Sequence, residues 1–150
     1  MKHKMLIVLA VVIIATLAFT STASAEGFEG KGSLEAWGDG IAGVYGRGRV
    51  TVSGRGILWI RDAAGDAEWS ISGTGEKRVF ENGWIEYLGF DGRFEMSGSN
   101  IVVVLSGNNI HLKAAGRGKA ILWGAGHYRL GSRTGEWSAQ MQVLSIGPAK

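Results

Sequence analysis

Pairs of glycines recur at a fixed interval in this chain. The pattern Gly-x-Gly occurs at residues 30/32, 38/40, 46/48 and 54/56, with a spacing of eight residues. Between Gly30 and Ile60 every even-numbered residue is glycine or apolar, whereas the odd-numbered residues are mostly polar or charged. Side chains alternate between the two sides of a β-strand, so a period of two predicts strands with one buried side. The sequence therefore predicts an all-β protein.

Two of the predicted strands are too long to be straight. The alternation from Ile41 to Arg61 would extend over about 69 Å at roughly 3.3 Å per residue, which exceeds the width of a small domain. Residues 111–130 form a second long stretch in which inward and outward residues alternate, and many of the inward residues are glycine or alanine. Glycines on the inward side let a sheet bend sharply without a steric clash. We expect both strands to be kinked at their Gly-x-Gly pairs.

Turn-forming residues divide the rest of the chain. Asn82-Gly83, Ser99-Asn100 and Asn108-Asn109 predict two-residue hairpin turns, and longer turns are expected at 38–40, 62–66 and 131–134. We predict an antiparallel meander of about seven strands that forms a small barrel or bent sandwich. The predicted strands are 28–37, 41–61, 67–81, 84–98, 101–107, 110–130 and 135–146.

The positions of these turns predict which residues oppose one another. Around Asn82-Gly83, Trp69 faces Met96 and Ile71 faces Phe94. Around Ser99-Asn100, Met96 faces Val103. The turn at 38–40 sets Leu34 against Val44, and the 62–66 loop sets Ile60 against Trp69. Together these registers align four glycines in one row across neighbouring strands: Gly56, Gly73, Gly92 and Gly107.

A parallel β-solenoid is the alternative fold, in which each octad forms one face of a coil. Solenoids repeat along the whole chain, whereas this octad is lost between Ile57 and Ile110. We therefore favour the antiparallel meander.

The N-terminal residues have the features of an export signal. Lys2 and Lys4 precede the apolar stretch 5–19, and Ala23-Ser24-Ala25 has the small-x-small pattern of a cleavage site. We predict a cleaved signal peptide at 1–25, or alternatively an uncleaved anchor, followed by a single glycine-rich domain at 26–150. The expected location is the periplasm or the extracellular space, with no transmembrane span after cleavage.

Net charge bears on the possible partners of the domain, and cysteine content bears on how its fold is stabilised. Loss of Lys2 and Lys4 reduces 16 basic residues to 14, against 13 acidic residues, so net charge gives no argument for a nucleic-acid partner. The chain has no cysteine, so the domain must be held together by its core without disulfides.

Residues suited to catalysis or to cofactor binding are few. His111 and His127 fall on the outward side of one strand, 16 residues apart, and are interpreted as surface histidines. The Gly-x-Gly pairs lack the Lys-Ser/Thr and the helix of a phosphate-binding loop, so we expect no cofactor, and we expect no metal either. Asp62, Asp66 and Glu68 form a polar loop without a recognised calcium spacing. A glycosidase-like pair among the carboxylates of the central hairpin is a less favoured hypothesis, the candidates being Glu76, Glu81, Glu86, Asp91 and Glu95.

Tryptophan and arginine provide the strongest functional signal. Trp69 and Trp137 are in phase with the core, whereas other aromatic residues alternate with basic ones on the outward side, and Trp and Arg are enriched at binding hot spots. We predict a candidate binding surface composed of Trp37, Tyr45, Arg47, Arg49, Arg55, Trp59, Arg61, Arg117, Lys119 and Trp123.

The sequence thus favours a non-enzymatic exported domain, acting as a structural or binding module of the cell envelope or extracellular space. Its partner would be a second copy, another envelope protein or a polysaccharide. One alternative is a carrier that holds a small ligand inside a barrel. The other is a glycan-active enzyme such as a glycoside hydrolase.

Overall fold

The computed structural model describes residues 32–147, and the predicted signal peptide lies outside them. The described residues form β1 (Gly32–Asp62), β2 (Glu68–Val79), β3 (Trp84–Leu130), β4 (Arg133–Glu136) and β5 (Gln142–Ile146), with no helix among them. All five strands belong to one antiparallel sheet, in which β3 pairs with each of the others. The prediction of an antiparallel all-β fold is confirmed. No helix within the described range is long and apolar enough to cross a membrane.

The two longest strands wind around each other. Val103 of β3 pairs on one side with Val44 and on the other with Ile60, two β1 residues that are 16 positions apart. The chain therefore returns beside itself after 16 residues, so β1 and β3 form an antiparallel double coil. The sheet is bent, as predicted, but it does not close into a barrel. β2 forms one edge, and β4 and β5 form the other.

Glycines line the bends of the coil in two rows. The first row contains Gly73, Gly92, Gly54, Gly56, Gly107, Gly40 and Gly124, and the second contains Gly98, Gly48, Gly116 and Gly32. Gly48 and Gly116 oppose each other with φ angles of 139° and 144°. A Cβ on either one would overlap a carbonyl oxygen of the facing strand, so no side chain fits. The predicted pairing of Gly73 with Gly92 is confirmed, but Gly56 pairs with Gly107 and not with Gly73.

The two rows divide the outside of the coil into two faces. We define the polar face as the outward residues of segments 33–39, 49–55, 91–97, 109–115 and 125–129. The apolar face comprises the outward residues of segments 41–45, 57–61, 84–88, 102–106 and 119–123. Side chains that point inward from both faces pack into one core. The even-numbered β1 residues predicted to point inward are buried in it: Leu34, Ala36, Ala42, Val44, Val50, Val52, Leu58 and Ile60.

Tryptophans lie at the two ends of this core. Trp137, which follows β4, is buried in the core as its phase predicts. Trp69 of β2 packs against Phe94 with ring centroids 5.7 Å apart, but it is 36% exposed because β2 is an edge strand.

Several predicted hairpins are corrected by the register. The turn at Asn82-Gly83 and its pairing of Trp69 with Met96 are confirmed. The turns at 38–40, Ser99-Asn100 and Asn108-Asn109 are wrong, because β1 and β3 continue through them. Val103 has β1 on both sides and cannot pair with Met96.

The same continuity corrects the remaining strand predictions. Ile60 pairs with Ile85 and Val103 instead of Trp69, and Leu34 pairs with Ala114 and Leu130 instead of Val44. The alternative of a parallel solenoid is wrong in strand direction, although each octad does form one face of a coil. The predicted strand 135–146 is interrupted between β4 and β5.

Candidate binding surface

The coil separates the ten residues of the predicted binding surface. The polar face carries Trp37, Arg49 and Arg55, and the second bend carries Arg47 and Arg117, which oppose each other. The apolar face carries Tyr45, Trp59, Arg61, Lys119 and Trp123. The structure thus distributes these residues over two surfaces of different chemistry.

Glu35 is the centre of a charged cluster on the polar face. It lies on β1 directly between Lys113 and Arg129, its partners on the two flanking segments of β3. Lys113 Nζ is 3.4 Å from Glu35 Oε2, and Arg129 Nη2 is 3.1 Å from Glu35 Oε1. The ring of His111 donates from Nε2 to Glu35 Oε2 at 3.0 Å. One carboxylate therefore fixes the positions of three basic side chains.

These contacts keep the Glu35 carboxyl ionised. The hydrogen bond from His111 is the largest effect on the pKa of Glu35 and lowers it. Partial removal from water acts in the opposite direction, but the hydrogen bond and charge of Lys113 add to the lowering, and the pKa of Glu35 lies below its ordinary value. Glu35 at neutral pH is therefore a hydrogen-bond acceptor and not a proton donor.

Trp37 lies between two histidines beside this cluster. Its ring stacks on His111 with centroids 5.3 Å apart and on His127 with centroids 4.9 Å apart. Both histidines oppose Trp37 directly, because their separation of 16 positions corresponds to one turn of the coil. Both histidines were predicted to lie on the surface, but not next to each other. Their separation of two octads was the signal that could have done so.

An open groove of about 390 Å³ runs along the polar face next to Glu35. Its small outward side chains are Ser33 and Ala115, which oppose each other on neighbouring strand segments, and Arg49 opposes Ala115 on the other side. The groove exists because these short side chains lie between long basic ones. Its lining comprises Ser33, Leu34, Glu35, Arg49, Thr51, Lys113, Ala114, Ala115 and Arg129.

The groove carries an excess of positive charge. Arg49, Lys113 and Arg129 line it together with one carboxylate, Glu35. The three basic side chains are 68%, 61% and 60% exposed, so much of each remains open to a ligand. Arg49 Nε is also 3.6 Å from Glu95, which lies outside the groove lining. A concave surface of this kind attracts anions.

On the apolar face, the outward side chains pack against one another. A second hydrophobic cluster, separate from the core, contains Ile41, Trp59, Trp84, Val102, Val104 and Ile121. Trp59 is covered by Phe80 at 5.7 Å and by Trp84 at 6.4 Å, and Arg61 lies over the Trp84 ring at 5.7 Å. Trp123 Nε1 donates to the carbonyl of Ala139 at 2.8 Å. Neighbouring residues of the chain thus cover much of the aromatic surface on this side.

Three acidic side chains of the 62–66 loop and the central hairpin have protein partners in the structure. Asp62 accepts the backbone N–H groups of Gly65 and Ala67, and Asp66 accepts hydrogen bonds from Ser99. Asp91 pairs with Arg55 at 3.1 Å. Within residues 32–147, no group of three or more acidic or histidine side chains is arranged to hold a metal ion.

Comparison with known proteins gives no further assignment. No family model, curated protein or solved structure matches this chain. The groove on the polar face is therefore interpreted from its own geometry and charge.

Proposed function

We propose that this protein is an exported, non-enzymatic β-domain of the cell envelope or extracellular space that binds an anionic polysaccharide along its polar face. Export rests on the N-terminal sequence pattern. Binding rests on one observation, the convergence of Arg49, Lys113 and Arg129 on a groove of about 390 Å³.

The charge of the groove favours an anionic ligand. Three basic side chains against one ionised carboxylate leave a net charge of 3 − 1 = +2 in the lining. Glu35 uses part of the hydrogen-bonding capacity of Lys113 and Arg129 and holds both in position. All three basic side chains line the groove, and their remaining donors can bind carboxylate or sulfate groups by charge-assisted hydrogen bonds.

The length of the charged region favours a polymer over a small anion. Arg49, Lys113, Glu35 and Arg129 lie on four adjacent strand segments. Four segments span about 14 Å, because neighbouring strands lie roughly 4.8 Å apart. A chain with an anion on successive units can contact all of them at once. The stack of Trp37, His111 and His127 lies beside this surface and extends it with ring edges and imidazole nitrogens, since the two histidines cover both faces of the Trp37 ring.

The two alternative functions have less support. Glycoside hydrolysis ordinarily requires two carboxyl groups across the scissile bond, whereas Glu35 is the one carboxylate in the groove and is held ionised. A carrier requires an interior cavity, generally of at least about 300 Å³. The void next to Val44, Val50 and Ile101 measures about 20 Å³, and the larger space lies on the outside of the sheet.

Two arginines of β1 provide a matched test. Arg49 and Arg55 are both 68% exposed and both pair with a carboxylate, but only Arg49 lines the groove. Calorimetric titration with polygalacturonate or heparin should show binding that weakens with added salt. Arg49→Gln should weaken it about tenfold, because a charge-assisted hydrogen bond is lost. Arg55→Gln should change it less than about twofold by the same reasoning.

Neutral dextran is the ligand control and should not bind. Equal losses from Arg49→Gln and Arg55→Gln would mean that the charge attraction is diffuse and not located in the groove. Absence of binding to both anionic polymers, or equally tight binding of dextran, would overturn the proposal.

A further inference from the structure

β2 is an edge strand with an unusually open surface. It pairs with β3 along one side, and no described residue pairs with its other side. All twelve of its residues are exposed. Trp69, Ile71, Val79 and the adjoining Phe80 are between 36% and 67% exposed. An uncovered edge with apolar side chains can accept another strand.

The first glycine row restricts what can pair with this edge. Wherever two strands cross that bend together, glycines meet: Gly73 opposes Gly92, Gly107 opposes Gly56 and Gly40, and Gly40 opposes Gly124. A Cβ on Gly73 would overlap the carbonyl oxygen of Asp91, which shows why a side chain is excluded at the bend.

The opposite edge of the sheet shows what happens without a glycine. Beyond Gly124, the neighbouring chain carries Ser138, Ala139 and Gln140 at the bend. At this point the strand is interrupted, and β4 and β5 lie on either side of the break. A continuous strand on the free edge of β2 would therefore have to place a glycine against Gly73.

We infer that the occupant of this edge is β2 of a second copy, paired antiparallel about a two-fold axis at Gly73. In this register Gly73 opposes its own counterpart, as the bend requires. The same register sets Glu68 of each copy against Arg78 of the other. Residues that oppose each other are then of the same parity, so the inner and outer sides of the sheet continue from one copy into the next. Steric fit and charge complementarity thus select a single register.

Pairing of this kind also covers the open end of the core. Trp69 and Ile71 oppose the core residues Met96 and Phe94, yet each is 36% exposed because no strand lies beyond them. Lys77 Nζ lies 5.3 Å from the centroid of the Trp69 ring within one chain. In the dimer, Lys77 of one copy opposes Trp69 of the other, and two coils share a continuous interior.

Charge exchange between Glu68 and Arg78 tests this dimer. The full chain is expressed, and the protein that accumulates is studied by sedimentation at concentrations from about 1 to about 500 µM, a range suited to weak association. We expect a monomer–dimer equilibrium. Glu68→Arg and Arg78→Glu should each weaken dimerisation about tenfold, because like charges then oppose each other across the strands. The double variant Glu68→Arg/Arg78→Glu restores opposite charges and should return to within about twofold of the original.

Arg133→Glu on β4 is the control, because it makes the same charge change at the opposite edge of the sheet. It should leave dimerisation unchanged. A protein that stays monomeric throughout, single variants that have no effect, or a double variant that does not recover would each overturn the inference. Arg49→Gln should affect polymer binding and not dimerisation, so failure of one proposal is distinguishable from failure of the other.

Discussion

The polar and apolar faces are built from the same two strands, the same bends and the same alternation, and they differ only in their outward residues. On the polar face these residues form exposed ion pairs around Glu35 and Glu95. On the apolar face they form a second buried cluster around Trp59 and Val104. The bends therefore recur every eight residues, whereas the same type of outward residue recurs every 16. The reason is that successive octads lie on opposite sides of the coil.

The two faces also contribute differently to stability. Exposed ion pairs usually add less than about 1 kcal/mol each, since water and salt screen them. Burial of apolar surface adds about 25 cal/mol per Å². The apolar face should thus strengthen the fold, while the polar face has its charged groups available for ligands.

Replacing a glycine at a bend should cause the largest loss of stability, because the bends separate the two faces. Gly48→Ala combines a positive φ with overlap against Ala115, so we expect a loss of about 3 kcal/mol or more in the free energy of unfolding. Gly65→Ala is the control, since Gly65 has a φ of 75° but open space around it. It should cost about 1 kcal/mol. Urea denaturation measures both, and similar losses would show that steric overlap does not enforce the bend.

Removal of one tryptophan from each face compares the faces directly. Trp59→Ala should destabilise the protein by about 3–5 kcal/mol, because Trp59 is 8% exposed in the second cluster. Trp37→Ala on the polar face should cost about 1 kcal/mol, since its ring is half-buried between two histidines. The reverse order in urea denaturation would contradict the assignment of a structural role to the apolar face.

The smallest change in stability is expected when the polar face is acidified and Glu35 is protonated. The folded-state pKa of Glu35 lies below its unfolded value, so its stabilising contribution is complete above roughly pH 5 and is lost as the pH falls through the folded-state pKa. The melting temperature of the wild type should therefore exceed that of Glu35→Gln at pH 7. The difference should shrink as the pH is lowered below about 4. A difference that persists unchanged in acid would mean that the charge of Glu35 contributes nothing.

The sequence predicted the parts of the fold that depend on local chemistry. The alternation in β1 identified its inward residues, Asn82-Gly83 identified one true hairpin, and the glycine pairs identified the bends. It failed at 38–40, Ser99-Asn100 and Asn108-Asn109, where residues typical of turns lie within continuous strands. Asn109 has a φ of 53° and marks an irregularity within β3. Turn residues permit such a backbone, but they do not specify whether the chain reverses or only bends.

The candidate site was predicted only in part, for a related reason. Trp37 and Arg49 were identified from their outward phase and residue type. Glu35, Lys113 and Arg129 were not, because they are 78 and 16 positions apart in sequence and meet only across the sheet. Their significance depends on the register between β1 and β3, which local patterns do not contain.

The sequence alone determined that this chain forms strands with one buried side and bends at its glycines, because both properties follow from the side chain at each position. Only the tertiary structure decided which octads share a face, and hence that the three basic groups of the groove and the large aromatic cluster lie on opposite sides of the coil. The physical reason is that pairing along both edges of β1 fixes a turn of 16 residues, and this closure is a property of the whole sheet.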